Sequence, residues 1–302
     1  MRLRRLGRTG LQVSEIGFGA LEIGRDWGLA SRDRRPPDEA ASLHLLETVA
    51  ALGINFVDTA MAYTRSEERI GKALRSGLLR RDAVYLATKA GERFDEAVGS
   101  RYDYSYAGIT RSMMESLERL QVDHVEGAQL HSAPLDVVRS GDAIRALRDL
   151  RKAGRCEFVG ASFSHDQACA EAIASGEYDT VQITYNLLER SSAERVLALA
   201  RDADVGVIVK SPLAKGLLSA ADALLSSEEQ ARVAPYRFLV RDGQTMAQAA
   251  LRFALSHPAV STVLSGTKHP EYLRANAAAA DGCGLSPADL ARIRTIPEAS
   301  RT

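Results

Sequence analysis

The chain has 302 residues, and its 39 lysines and arginines balance 39 aspartates and glutamates, so the formal net charge is zero. That length can bury a substantial core and suits either two ordinary domains or one large α/β barrel. The balanced charge offers no overall field to recruit nucleic acid or an anionic membrane, which points to a small neutral or locally bound anionic ligand. Three widely spaced cysteines, Cys156, Cys169 and Cys283, lack CxxC spacing and fit a reducing compartment better than a disulfide framework or a zinc site. No signal-like segment follows Met1 and no apolar run approaches the ~20 residues that span a bilayer, so a cytoplasmic protein is expected.

In chain order, the stretch "LRRLGRTGLQVS" reads as a hairpin. After it, short apolar runs rich in β-branched residues alternate with longer segments of helical period. The runs lie at 16–19, 55–59, 84–89, 124–131, 158–162, 181–184, 206–210 and 260–266. Helix starts are expected at Asp38, at Ser66 before Glu67 and Glu68, and at the capping-box pairs Ser164/Gln167, Ser191/Glu194 and Thr245/Gln248. Two long connections, around 27–37 and 215–244, follow strands and so belong over the same face of the fold. The tail "LSPADLARIR" adds a helix with Ser286 capping and Pro287 at its first position.

Eight strands, each followed by a helical segment, predict a single (β/α)8 TIM barrel over residues 1–302, with an N-terminal β-hairpin and an extra C-terminal helix. A doubly wound dinucleotide fold would place GxGxxG after its first strand. In "GFGALEIG" the third glycine is replaced by Glu22.

In such a barrel the carboxyl ends of the strands converge on one mouth, which collects Asp58, Lys89, His131, Ser162, Gln182, Lys210 and Ser265, with Tyr63 one short loop beyond Asp58. A phenol is a poor acid at neutral pH, but a neighbouring ammonium favours its ionised form, and Lys89 is expected to do this for Tyr63. Asp58 is the nearest counter-charge for Lys89, and His131 completes a set able to polarise a carbonyl oxygen. This combination suits reduction: hydride reaches a carbonyl carbon while Tyr63 donates the proton, and the hydride must come from a cofactor. Taken singly, each of these residues has a plain structural reading as a cap, a surface charge or a packing residue. The remaining histidines, His44, His124, His165, His257 and His269, show neither HxH nor HExxH spacing, and no metal site is expected.

The segments "GINFVDTAMAYTRSEERIGKAL", "LATKAG" and "AQLHSAP" resemble, in order and spacing, the aspartate–tyrosine, lysine and histidine segments of the aldo-keto reductase superfamily, and the resemblance extends over almost all of the chain. It implies that Tyr63 is the general acid of a tetrad with Asp58, Lys89 and His131. It also implies a nicotinamide cofactor. "GASFSH" and "VQITYN" resemble the carboxamide-binding segments, assigning the carboxamide to Ser162 and Gln182, with Phe163 beside them in the cofactor set. "VKSPLAKGLL" resembles the pyrophosphate loop, with Ser211, Leu213 and Gly216 in the matching places. "LSGTKHPEYLRAN" resembles the adenosine-phosphate segment, where Gly266, Thr267 and Asn276 match. Gly19 and Ala20 at the end of the first strand join this cofactor set.

Three positions depart from the family pattern. Phe163 stands where asparagine usually follows the serine, and its ring can equally pack beneath the loop. Lys210 stands where many members stack an aromatic residue on the nicotinamide; its stem can cover that ring, or it can point into solvent. Tyr272 replaces an arginine that grips the 2′-phosphate in many members, with Lys268 and Arg274 close enough to compensate. NADPH is the expected cofactor and NADH the alternative. A small carbonyl compound or alcohol is the expected substrate, with Trp27, Arg93, Tyr236 and Arg237 on the loops that would select it. Two rival functions stay open: a Schiff-base lyase or aldolase using Lys89 or Lys210, and a cofactor-binding sensor or accessory subunit without turnover.

Overall fold

The computed structural model describes residues 1–25 and 35–298. It opens on an antiparallel hairpin, β1 (Leu3–Arg5) and β2 (Gln12–Ser14), in which Leu3 pairs with Ser14. Strands β3 (Ile16–Gly19), β4 (Phe56–Asp58) and β5 (Tyr85–Ala90) follow, then a second hairpin, β6 (Glu92–Asp95) and β7 (Gly99–Tyr102). The sheet resumes with β8 (Val125–Leu130), β9 (Cys156–Ser162), β10 (Thr180–Thr184), β11 (Gly206–Lys210) and β12 (Val260–Ser265). Strands β3, β4, β5 and β8 to β12 are all parallel to their neighbours, and the pairing of β12 with β3 closes them into an eight-stranded barrel. The chain is therefore a (β/α)8 TIM barrel with the expected hairpin in front.

Around the barrel lie α1 (Glu39–Ala51), α2 (Ser66–Arg75), α3 (Tyr106–Leu120), α4 (Leu135–Ser140), α5 (Asp142–Lys152), α6 (Asp166–Ser175), α7 (Ser191–Asp202), α8 (Ser227–Val233), α9 (Met246–Leu255), α10 (Pro270–Ala277) and α11 (Pro287–Thr295). Because helices cover the outer face and side chains fill the inner one, the barrel strands are apolar on both faces, as "GVIVK" of β11 illustrates. One large core lies between strands and helices. A second cluster of Leu6, Val13, Phe56, Ala87, Ile208 and Leu264 includes side chains from the first hairpin. That hairpin closes the amino end of the barrel: Arg8 N donates to Asp204 O at 2.6 Å, and Gly7, at φ +47°, lies so near β11 that a Cβ would fall 2.2 Å from Gly206 N. The carboxyl ends of the strands are left as the open mouth.

Several helix starts form as the side chains predict. Asp38 accepts from Ala41 N, Ser286 accepts from Asp289 N with Pro287 beginning α11, and Thr245 with Gln248 forms a full capping box. The helix α2 begins at Ser66, as read, although the Ser66 hydroxyl lies 2.8 Å from the Thr59 hydroxyl and caps nothing. Two others differ. Helix α6 begins at Asp166, which leaves Ser164 one residue short of the capping position, and α7 begins at Ser191 with Arg190 in the cap position. Arg190 is instead buried, donating to Leu187 O and Ile296 O. An unforeseen box, Ser226 with Glu229, starts α8.

Candidate active site

The short loop after β4 and the end of β5 bring Asp58, Tyr63 and Lys89 together. Lys89 is fully buried, and Nζ donates to Asp58 Oδ2 (2.5 Å), to Thr59 O (2.9 Å) and to the Tyr63 hydroxyl (3.2 Å). An ammonium has three donors, so all are spent and the head is held in one orientation. Asp58 is held equally firmly, since Gln182 Nε2 (2.8 Å) and Gln129 Nε2 (3.1 Å) both donate to its Oδ1. His131, just past β8, stands edge-on to the Tyr63 ring with centroids 5.6 Å apart.

Charge in this mouth follows from burial set against contact. Burial opposes the ammonium of Lys89, yet Asp58 and then Tyr63 carry its pKa above the ordinary value. For Tyr63 the balance differs from the sequence expectation: burial raises its pKa, Lys89 pulls it down, and burial prevails. Tyr63 is therefore a phenol at neutral pH. Because its oxygen already accepts from Lys89, its own proton is free to be donated elsewhere. Burial, followed by Lys89, Lys210 and Arg25, holds His131 well below its ordinary value, so it is a neutral imidazole.

The second hairpin contributes a residue that sequence reasoning did not single out. Glu92, 6% exposed, accepts from Ser100 Oγ at 2.5 Å and lies 3.0 Å from His131 Nδ1, at ion-pair distance although outside hydrogen-bond geometry. The Tyr104 hydroxyl donates to His131 O at 2.6 Å. Glu92 thus faces one nitrogen of the imidazole and biases which nitrogen carries the proton. We expect Glu92→Gln to lower kcat about tenfold with little change in KM, and to alter the ¹⁵N shifts of the His131 ring; unaltered shifts would remove this positioning role. Gln129 was also missed, although it shares an inward face with His131 two residues on, a signal that strand alternation carries.

Among the residues tied to the cofactor by resemblance, Ser162 is buried at the end of β9, and Lys210 Nζ donates to its Oγ at 2.9 Å, so Lys210 points into the mouth and not into solvent. Burial and the nearby Lys89 pull the Lys210 pKa down to about 8, with Asp58 opposing. Phe163 does not turn inward: its ring is buried edge-on against Tyr178, which leaves only its backbone at the mouth. In the loop after β11, Ser211, Ala214, Lys215 and Gly216 all have positive φ, and Ser211 O accepts from Asn186 Nδ2; half-buried Leu213 lies within the same turn. Gly19 and Gly266 face each other across β3 and β12, and a Cβ on Gly266 would lie 3.5 Å from Gly19 O and 3.6 Å from Glu22 Oε1. Ala20 and Thr267 are buried beside them, and Asn276 Nδ2 donates to Ser265 Oγ at 3.0 Å. Lys268 Nζ donates to Arg35 O, while Tyr272 is 58% exposed and meets the His269 ring. Burial pushes the Glu22 carboxyl above its usual range, against the pull of Lys268.

The substrate-loop residues are not gathered here. Arg93 pairs with Glu115 on α3, pointing the opposite way from its neighbour Glu92 in the strand. Arg237 pairs with Asp222. Tyr236 is 2% exposed, its hydroxyl accepting from Arg190 Nη1, and it belongs to the core and not to a substrate surface. Trp27 lies outside the described residues. At the opposite end of the barrel, His124, Glu126 and Glu157 bring ligand atoms within 4.8 Å of one another. The Glu126 carboxylate there already accepts from Leu86 N (2.7 Å) and pairs with Arg81 (2.8 Å).

A closed α/β barrel whose mouth holds a proton-bearing phenol against a buried, ion-paired lysine defines the class of barrel oxidoreductases. The family model for the aldo/keto reductase family matches residues 15–298, and the chain belongs to that family. It is 31% identical to L-galactose dehydrogenase of Arabidopsis thaliana over 99% of this chain and 95% of that one. It is 28% identical to the NADH-specific methylglyoxal reductase of Escherichia coli (strain K12), covering 97% and 98% of the two chains. The holo form of the aldo-keto reductase AKR11C1 from Bacillus halodurans superposes with a TM-score of 0.85 at 29% identity, covering 97% of this chain and 95% of that one. Among the described residues, no helix is long and apolar enough to cross a membrane.

Proposed function

We propose that the protein reversibly reduces an aldehyde or ketone to the alcohol, with Tyr63 giving the proton to the carbonyl oxygen. The observation that carries this reading is the set of three Lys89 hydrogen bonds. They orient the phenol oxygen as an acceptor from the ammonium, so its proton is presented to whatever occupies the mouth. As negative charge grows on the substrate oxygen, Lys89 stabilises the phenolate that Tyr63 becomes, and neutral His131 lines the same mouth beside the Tyr63 ring.

A nicotinamide cofactor fits the other half of the mouth. The side-chain-free surfaces of Gly19 and Gly266 form a cradle that a Cβ would narrow, and the positive-φ turn around Ser211 and Gly216 suits a phosphate. When bound, that group supplies the hydride. Ser162 and Lys210 would meet its nicotinamide end, and Thr267, Lys268 and Asn276 its adenosine end. Gln182 Nε2 already donates to Asp58 and Gln129, so its support of the carboxamide comes through Oε1 as an acceptor. The raised pKa of Lys89 speaks against it as an imine-forming amine, and turnover of cofactor by the purified protein would exclude a mere sensor.

NADPH is our first cofactor, on the strength of Lys268 and the nearby Arg274. One observation favours NADH: the Glu22 carboxyl beside Gly266 would oppose an additional phosphate. Titration with each cofactor, following its own emission, tests both the site and the preference. We expect saturable binding, and we expect Glu22→Gln to tighten NADPH relative to NADH on the order of tenfold. Absence of binding to either cofactor would overturn the reductase reading.

A further inference from the structure

The chain has six lysines. Lys72, Lys89 and Lys152 form ion pairs with Glu39, Asp58 and Asp149. Lys210 differs from these three. Its stem continues β11 into the mouth, its head is hydrogen-bonded to the neutral Ser162 hydroxyl, and among the described residues it makes no ion pair. The charged and titratable groups facing it are Lys89, Asp58, Glu92, Cys169 and His131, and its first two influences after burial come from opposite signs, Lys89 and Asp58. As a residue it is half-buried.

We infer that Lys210 is a carbonyl-reactive amine: in the cofactor-free protein, a small aldehyde entering the mouth forms a reversible imine with its Nζ, and that imine and the bound cofactor exclude one another. In the step, the nitrogen lone pair forms a bond to the carbonyl carbon and a nitrogen proton passes to the carbonyl oxygen, giving a carbinolamine. Departure of the new hydroxyl together with the second nitrogen proton, as water, leaves the C=N bond, with no oxidant or reductant consumed. The exclusion rests on the proposed cofactor position, in which the Lys210 stem lies against the nicotinamide; the reactivity does not.

The chemistry requires a free amine with room to react. With a pKa of about 8, roughly a quarter of Lys210 is unprotonated at about pH 7.5, against roughly one part in a thousand for an ordinary lysine. Lower basicity takes back part of that gain in nucleophilicity, so labelling on the order of tenfold faster than at Lys152 is expected. Lys89 is kept unreactive by its charge and burial.

The test incubates the cofactor-free protein with benzaldehyde and cyanoborohydride, which reduces imines, and follows benzylation of each lysine by peptide mass spectrometry with and without saturating NADPH or NADH. Preferential labelling of Lys210, absent in Lys210→Arg and slowed by whichever cofactor binds, supports the inference. Labelling of Lys210 no faster than Lys152 overturns it. Fast labelling that a demonstrably bound cofactor does not slow supports the reactive amine and overturns the exclusion. Cofactor binding measured separately by fluorescence shows whether the reductase reading itself has failed.

Discussion

Tyr63→Phe is expected to lower carbonyl reduction by about 10²- to 10⁴-fold, the span that general acid catalysis contributes, while cofactor affinity stays within about twofold. The hydroxyl is the group that changes bonding as charge develops on substrate, and a phenyl ring preserves the edge-on contact with His131. Steady-state turnover alongside a binding titration separates the two quantities. A mutant that turns over like the parent would end the assignment of Tyr63 as acid. The pH profile of the parent provides a second reading of the same residue. Burial raises the Tyr63 pKa despite Lys89, so its proton remains available through the neutral range, and the loss of reduction due to its ionisation should lie above about pH 10. In the oxidation direction the sign reverses, because there the phenolate is the base.

Asp58→Ala should have the largest effect on stability. Lys89 Nζ is fully buried, and Asp58 is its sole ion-pair partner among the described residues. Removing one member of a buried pair leaves an uncompensated charge and costs about 3–5 kcal/mol. The amides of Gln129 and Gln182 lose their shared acceptor as well. Without its counter-charge, Lys89 would have a folded pKa depressed by burial below its unfolded value. The unfolded chain then binds more protons, so the variant should regain stability as pH rises toward the lysine range. Urea denaturation at neutral and alkaline pH measures this. The double variant Asp58→Ala with Lys89→Met should be more stable than Asp58→Ala alone at neutral pH, and equal instability of the two would rule out an orphaned charge as the cause.

Much of the fold and part of the site are legible in local pattern. The strand from 206 to 210 is seen at its observed bounds because apolar β-branched residues on both faces need helices outside and side chains inside. Asp58, Lys89 and His131 can be placed at one mouth before any coordinates are known, because parallel strands in a barrel deliver their carboxyl ends to a single rim. Thr245 and Ser286 cap their helices as read, since a cap depends on residues only three apart. Glu92 escaped notice because β6 and β7 are short, polar strands without an apolar alternation, and their pairing across the mouth is what aims that carboxyl at His131. Ser66 starts its helix as read, but its hydroxyl does not cap it, because Thr59 on the preceding loop takes that hydroxyl.

Residue order and periodicity thus specify the barrel, the strand ends and the identities of the groups that meet there, because those depend on repeating local geometry. Side-chain direction and charge state were left to the folded molecule. Phe163 enters the core with Tyr178, Tyr236 is buried against Arg190, and Lys210 turns inward to Ser162. Tyr63 keeps its proton because desolvation outweighs the neighbouring ammonium. Each of these outcomes is a competition between burial and a particular partner brought from far along the chain, and its result depends on distances that no local pattern contains.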